Sequence, residues 1–180
     1  MAEAEKSFTR ISEADGSWSR VVQYWDTECE RYGENFDDYS PASLGTLAPL
    51  AQGAQIPRAG VYGLLDEQGN CLSVCQLNKA MLPGYKSWVL RLRHLVLAPK
   101  FDFDDALKTE EYVDVIAGSL IGMYAISESE MEAPHLKLHL RSPADRSLFG
   151  EIGNGLERYG IAKKVGIHGA WLHIDKQVRE

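Results

Sequence analysis

Two short stretches carry most of the side chains able to do chemistry. In "HLKLHLR", residues 135–141, every second position is basic: His135, Lys137, His139 and Arg141. Period-two alternation puts these four on one face of a strand and the leucines on the other. In "RLRHL", residues 91–95, Arg91 and Arg93 share one face and His94 takes the opposite one. If the two strands are neighbours, one sheet face gathers several cations. In a chain of net charge −7 such an asymmetry draws in an anionic ligand. Side chains paired with acids or reaching solvent would explain the same pattern. His94 and His139 are the candidate general bases, because an imidazole near its unperturbed pKa can accept a proton from an attacking amine.

The elements that must position these groups follow from the hydrophobic period. "KSFTRI" alternates and predicts a first strand. Trp18, Val21, Val22, Trp25, Cys29 and Tyr32 form one helical stripe closed by Gly33, with Asp15 and Ser17 as cap candidates. "ENFDDY" is expected to be a polar loop, and Ser40 with Pro41 to open a short second helix. "GVYGLL", "DEQGN" and "CLSVCQLN" predict a hairpin, and "KSWVLRLRHLVLA" a long central strand. "TEEYVDVIAGSLIGMYAISES" is a helix capped by Thr109, with Gly118 and Gly122 letting its backbone lie close to the sheet. Residues 135–141 form a strand. Ser142, Pro143 and Asp145 then start a last helix closed by Gly160, and "KKVGIHGAWLHI" supplies one or two final strands. Two helix crossings in the second half favour parallel pairing there, and the middle hairpins favour antiparallel pairing. The expected fold is therefore α/β: one domain over residues 1–180, a mixed twisted sheet with helices on both faces.

Composition narrows the function. A chain of 180 residues, 44% hydrophobic and 25% charged, is an ordinary globular protein. The acidic balance argues against a nucleic-acid partner, and no apolar run is long enough for a membrane span. "MAEAEKSFTR" has no apolar signal core, so the expectation is a cytoplasmic protein. Cys29, Cys71 and Cys75 read as free thiols. Cys71 and Cys75 are expected on one strand face roughly 13 Å apart, too far to share a metal. With no CxxC or HExxH spacing, no metal site is expected.

The element order resembles the GCN5-related N-acetyltransferase superfamily over nearly the whole chain. "LRHLVLAP" resembles that family's fourth strand, and "LFGEIGNGLERYGI" its late helix and turn. The resemblance implies an acyltransferase whose fourth and fifth strands splay apart, with the pantetheine arm of coenzyme A pairing with the fourth strand's backbone. Leu95 and Leu97 would carry those backbone groups, and Arg91, Arg93 and Lys137 would complete the candidate donor-binding set. The chain departs from the family in two places. The family's glycine-rich pyrophosphate turn is replaced by "KFDFDDALKTEE", where Asp102, Asp104, Asp105, Glu110 and Glu111 set negative charge around the anion site. Weak coenzyme A binding is therefore expected. The tyrosine that protonates the leaving thiolate in many relatives corresponds to Leu156, and Tyr159 serves only in a shifted register. The usual glutamate base is missing from the fourth strand. Three readings stand: an acyltransferase with an altered donor site; the same fold as an inactive binding or regulatory module, with a homodimer as one form; and an enzyme like the acyl-homoserine-lactone synthases, fed by an acyl carrier. A small amine or an anionic molecule is the expected ligand.

Overall fold

The computed structural model describes residues 6–140, 143–158 and 162–177. Its strands are β1 (Ser7–Ile11), β2 (Ala59–Leu65), β3 (Cys71–Ala80), β4 (Val89–Leu97), β5 (His135–His139), β6 (Ala162–His168) and β7 (Trp171–Lys176). Its helices are α1 (Ser17–Arg31), α2 (Phe36–Ser43), α3 (Ala48–Gln52), α4 (Lys100–Phe103), α5 (Thr109–Ser127) and α6 (Pro143–Arg158).

The strands form a sheet in the order β1-β2-β3-β4-β5-β7-β6. Neighbours from β1 to β4 are antiparallel, β4 and β5 are parallel, and β5, β7 and β6 are antiparallel again. The mixed α/β expectation holds, and so does the parallel β4-α5-β5 crossover. The second expected parallel neighbour does not form. After α6 the chain makes β6 and then turns at Gly169 (φ 59°), and β7 inserts between β5 and β6. The side chains explain the choice. Leu172 and Ile174 on β7 are buried, whereas Lys163 and Lys164 on β6 are exposed and suit an edge.

One sheet face is covered by α5 and α6. Tyr62, Leu77, Leu90, Leu92, Leu136, Leu138 and Leu172 pack there against Ile116, Met123 and Phe149. Gly118 does what its spacing predicts: a Cβ there would lie 2.9 Å from Leu64 Cδ2, and one at Gly122 would overlap the Phe8 ring. The other face is covered only in part. Trp18, Val21 and Trp25 of α1, with Leu44, Leu47 and Ala51, lie against Ile11, Val61 and Val74. Trp25 locks this layer by donating its indole N–H to the Cys71 carbonyl at 2.8 Å.

Three local expectations need correction. The "ENFDDY" stretch is helical, because Asn35 caps α2 by accepting from the Asp37 N–H at 2.8 Å, and Pro41 lies inside that helix. Thr109 is the first residue of α5, behind Lys108 at the cap. Cys71 and Cys75 do not share a face. The β2–β3 register shifts between Leu64 and Leu65, so Cys71 packs in the α1 layer and Cys75 in the α5 layer. All three thiols are buried, and burial pushes Cys29 up to about 11 and Cys71 up to about 12. None is a nucleophile near neutral pH.

Candidate functional site

The two strands at the centre of the sheet part company. β4 and β5 are in register from Val89 opposite His135 to Leu92 opposite Leu138. β4 then runs on to Leu97 without a strand partner on that side among the described residues, while β5 ends at His139. A cavity of about 550 Å³ occupies the wedge. Its lining includes Leu92, Leu95, Val96 and Leu97 of β4, Leu138 and His139 of β5, and Phe149 of α6. Tyr39 of α2 and Tyr112 and Ile116 of α5 close it.

The unpartnered edge of β4 can be identified from its hydrogen bonds. Ala98 donates its N–H to the Leu72 carbonyl of β3 at 2.9 Å. Backbone groups alternate along a strand, so those of Leu97 and Leu95 point to the other edge, toward the wedge. The Tyr39 hydroxyl agrees: it reaches the Leu97 carbonyl at 3.3 Å and Asp102 Oδ2 at 3.0 Å. Burial, followed by the Asp102 charge, holds the Tyr39 phenol far above its ordinary value, so it keeps its proton and donates.

A feature that the sequence pattern concealed lies just before Leu95. The β3–β4 register passes from Val74 opposite Val96 to Gln76 opposite Arg93, so His94 and Leu95 together face Cys75. This is a β-bulge, and His94 carries its left-handed backbone at φ 52°. A non-glycine residue there costs about 1–3 kcal/mol, a strain that concentrates at functional sites. Period-two alternation, which sets His94 on the face opposite Arg91 and Arg93, does not continue through such a bulge.

The segment after β4 makes a helical turn instead of an open loop. Its amides are satisfied by the chain's own carboxylates. Glu28 accepts from the Lys100 N–H at 3.3 Å, Asp104 from the Ala106 N–H at 3.0 Å, and Glu111 from the Lys108 N–H at 3.3 Å. Tyr32 donates to Asp104 at 3.2 Å. The acids that looked like a barrier to an anion are thus also local hydrogen-bond acceptors. Glu111 sits at the positive end of α5, where a bound anion would otherwise gain most.

The expected cations gather elsewhere. Asn78, Arg91, Lys137, His173 and Gly166 are successive cross-strand partners from β3 to β6, so they form one row on one face. Gln76 pairs with Arg93 in the neighbouring row. This is the face that α1–α3 cover over the first strands and leave bare over β5, β7 and β6. Arg91 donates to Asn78 Oδ1 from Nε at 3.1 Å and also from Nη2. The Lys137 ammonium lies over the Trp171 ring at 4.9 Å and the Tyr85 ring at 5.9 Å. Among the described residues no carboxylate is within ion-pair distance of Arg91, Arg93 or Lys137. Burial, and then the neighbouring Arg93, lowers Arg91; burial, and then Arg91, lowers Lys137. Of the residues singled out from sequence, Leu95, Leu97 and His139 line the wedge cavity, His94 adjoins it in the bulge, and Arg91, Arg93 and Lys137 do not line it. Tyr159 and Arg141 lie outside the described residues. Tyr39 was missed, since its stretch was expected to be a loop; the signal that finds it is Asn35 as a helix cap. Among the described residues no group of three His, Cys, Asp or Glu side chains is disposed to hold a metal, and no helix is long and apolar enough to cross a membrane.

No family model matches the sequence, and no curated protein matches it. Among solved structures the chain is similar to the ribosomal-protein-alanine N-acetyltransferase of Brucella melitensis biovar Abortus 2308, with 17% identity over 82% of this chain and 90% of that one and a TM-score of 0.45. It is similar to a GNAT family acetyltransferase of Staphylococcus aureus, with 12% identity over 78% of this chain and 89% of that one and a TM-score of 0.41. A third likeness is to the GCN5-related glucosamine N-acetyltransferase region of a fungal multi-domain beta-N-acetylglucosaminidase. There the identity is 12%, the coverage is 86% of this chain but 17% of that much longer one, and the TM-score is 0.42. The chain's own strand order, its parallel β4-α5-β5 crossover and its parted β4 and β5 give it the fold of the GCN5-related N-acetyltransferases.

Proposed function

We propose that the protein is an acyltransferase that takes an acyl group from a pantetheine thioester lying between β4 and β5 and passes it to an amine. One observation carries this reading: the two strands part after Leu92, and the backbone edge at Leu95 and Leu97, which no described strand pairs, faces a cavity of about 550 Å³. An extended amide-bearing arm pairs with such an edge as an added strand would. The amine attacks the thioester carbonyl carbon, a carbon–nitrogen bond forms, and the carbon–sulfur bond breaks. His139, which lines the cavity, takes the proton from the attacking nitrogen, and the departing sulfur is protonated to the thiol.

The donor differs from ordinary coenzyme A usage at its nucleotide end. Glu111 already accepts at the start of α5, and Asp102 and Asp38 line the cavity. The arm is held, and the pyrophosphate is not. A pantetheine arm carried by a protein fits this arrangement as well as a free cofactor. Calorimetric titration with acetyl-pantetheine and with acetyl-coenzyme A tests it. Binding of the two within about threefold of one another is expected; a preference of tenfold or more for the nucleotide-bearing donor, about 1.4 kcal/mol, overturns the altered-donor reading.

A second reading, a binding module without catalysis, is favoured by the Tyr39 hydroxyl, which already occupies the Leu97 carbonyl. Turnover of acetyl-pantetheine with a panel of amines separates the two, since the module binds and releases its ligand unchanged.

A further inference from the structure

A second cavity lies on the bare face of the sheet, apart from the wedge. Its volume is about 450 Å³, and its walls come from the β3–β4 connection (Gly84, Tyr85, Lys86) and from β5, β6 and β7 (His135, Lys164, His168, His173, Asp175). The β6–β7 hairpin builds one wall. Its register sets Gly166 beside His173, which opens space above the strand, and Lys164 beside Asp175. Tyr85 builds the other wall. Its ring stacks on His173 with 13° between planes and meets His135 edge-on at 5.0 Å.

The polar groups of this cavity are organised. The Tyr85 hydroxyl lies 2.6 Å from His173 Nδ1. Burial raises Tyr85, so its hydroxyl keeps the proton and donates it, and His173 then carries its own hydrogen on Nε2. His135 Nδ1 holds Asp175 Oδ1 at 2.7 Å, which engages the cavity's acid. Lys86 and Lys164 remain without a carboxylate within ion-pair distance among the described residues, and Lys137 stands behind the Tyr85 ring. The cavity is therefore locally cationic in a protein of net charge −7. Its imidazoles are not disposed as metal ligands. Ammonium groups with no ion-paired carboxylate among the described residues, in a concave site with aromatic walls, suit an oxyanion.

We propose that this cavity holds the anionic end, a phosphate or carboxylate group, of the acyl acceptor. The assignment rests on the acyltransferase reading of the wedge and names its substrate class: an amine bearing a remote oxyanion. The spacing is set by the sheet. From the Lys137–His173 row to the bulge at His94 is three strand residues along β4, roughly 10 Å, with one to two strand spacings sideways. The amine and the anion must therefore be roughly 10–15 Å apart, which excludes an α-amino acid held by its own carboxylate. Arg91 and Lys137 lie along that path.

Binding of an oxyanion is coupled to a proton. His173 is held below its ordinary value of 6.5, first by burial and then by Lys137 and His168, against the opposing pull of Asp175. Tyr85, Lys86, His135 and Lys164 are the other titratable groups that line the cavity with it. An oxyanion in the cavity offsets these cations and favours imidazolium, so affinity rises as pH falls.

The test titrates inorganic phosphate and, separately, succinate into the wild-type chain and into the Lys164→Ala, His173→Gln and Tyr85→Phe variants, at pH 6 and pH 8. Thermal melting checks that each variant is folded. The expected result is phosphate or succinate binding at least threefold tighter at pH 6, weakened at least fivefold by Lys164→Ala, and made nearly pH-independent by His173→Gln. Tyr85→Phe keeps the ring wall and releases His173 Nδ1, so it should shift the pH profile and leave the melting temperature within a few degrees. The tighter of the two anions names the source of the charge. Absence of binding by both, or binding that ignores all three substitutions, overturns the proposal. Acetyl-pantetheine binding is measured on the same samples. If the anion binds as described and acetyl-pantetheine does not, the donor reading and the acceptor assignment fall, and the oxyanion cavity stands.

Discussion

The hydroxyl of Tyr39 on α2 donates to the main-chain carbonyl of Leu97 on β4 across 3.3 Å. It thereby occupies the edge that an incoming donor arm would pair with. One phenol thus links the early helix to the open side of the central strand. Asp102 shares that phenol at 3.0 Å. Replacing Tyr39 by Phe removes both bonds and keeps the ring, which meets Trp25 and Phe103 edge-on. The expected loss of stability is about 1 kcal/mol, the usual net worth of such a bond. Acetyl-pantetheine should bind more tightly, because the Leu97 carbonyl no longer has to exchange partners. Chemical denaturation and calorimetry read the two effects separately.

Glu111 stands where the α5 terminus would otherwise meet an anion, accepting from the Lys108 N–H. Glu111→Gln removes the charge and keeps an acceptor. Coenzyme A should then bind at least threefold tighter, with about 0.5 kcal/mol lost from the helix terminus. Unchanged coenzyme A affinity would mean that the charge at this terminus does not limit the donor.

His94 supplies the strained backbone of the bulge at φ 52°. His94→Gly and His94→Ala both delete the imidazole, but only glycine adopts this backbone freely. The glycine variant should be the more stable of the two by about 1 kcal/mol, measured by urea unfolding. Equal stabilities would mean that the bulge relaxes when its side chain is removed. If the imidazole acts in transfer, both variants lose activity alike.

The acid side of the stability profile should carry the mark of His173. Its native value lies below the ordinary 6.5 of the unfolded chain, so between those two values the unfolded state binds more protons. The contribution is fully present above pH 6.5 and is lost as pH falls from 6.5 toward the native value. Melting temperatures from pH 8 to pH 5 should show a wild-type decline below pH 6.5 that is shallower in His173→Gln. Added phosphate should reduce the decline in the wild type alone.

Much of this architecture is legible in the chain because it rests on period and punctuation. The stripe from Trp18 to Cys29, the alternation in residues 135–139 and the glycines that bring α5 close to Phe8 and Leu64 all announce their surroundings. The parting of β4 from β5 follows from element order through the family resemblance. Three things were hidden for physical reasons. The bulge at His94 is a backbone event, and histidine carries no glycine-like signal for φ above zero. Helix α2 begins at Phe36, behind the Asn35 cap, rather than at Ser40, and that shift is what brings Tyr39 to the wedge. The oxyanion cavity needs Tyr85, from a connecting segment, to lie over strands that are distant in sequence. Its β6–β7 wall had a readable sign: Gly169 turns the hairpin, which sets His168 opposite Trp171 and therefore Gly166 opposite His173.

The central claim, that a pantetheine thioester lies along the free edge of β4, is tested most directly by the backbone amides of Leu95 and Leu97. With nitrogen-15-labelled protein, acetyl-pantetheine is titrated while amide shifts are followed residue by residue. The account predicts the largest changes at Leu95 and Leu97 and in the His94 bulge, with the β1–β2 amides unmoved. Saturable binding that leaves Leu95 and Leu97 unshifted, or no binding even in Tyr39→Phe, would contradict it.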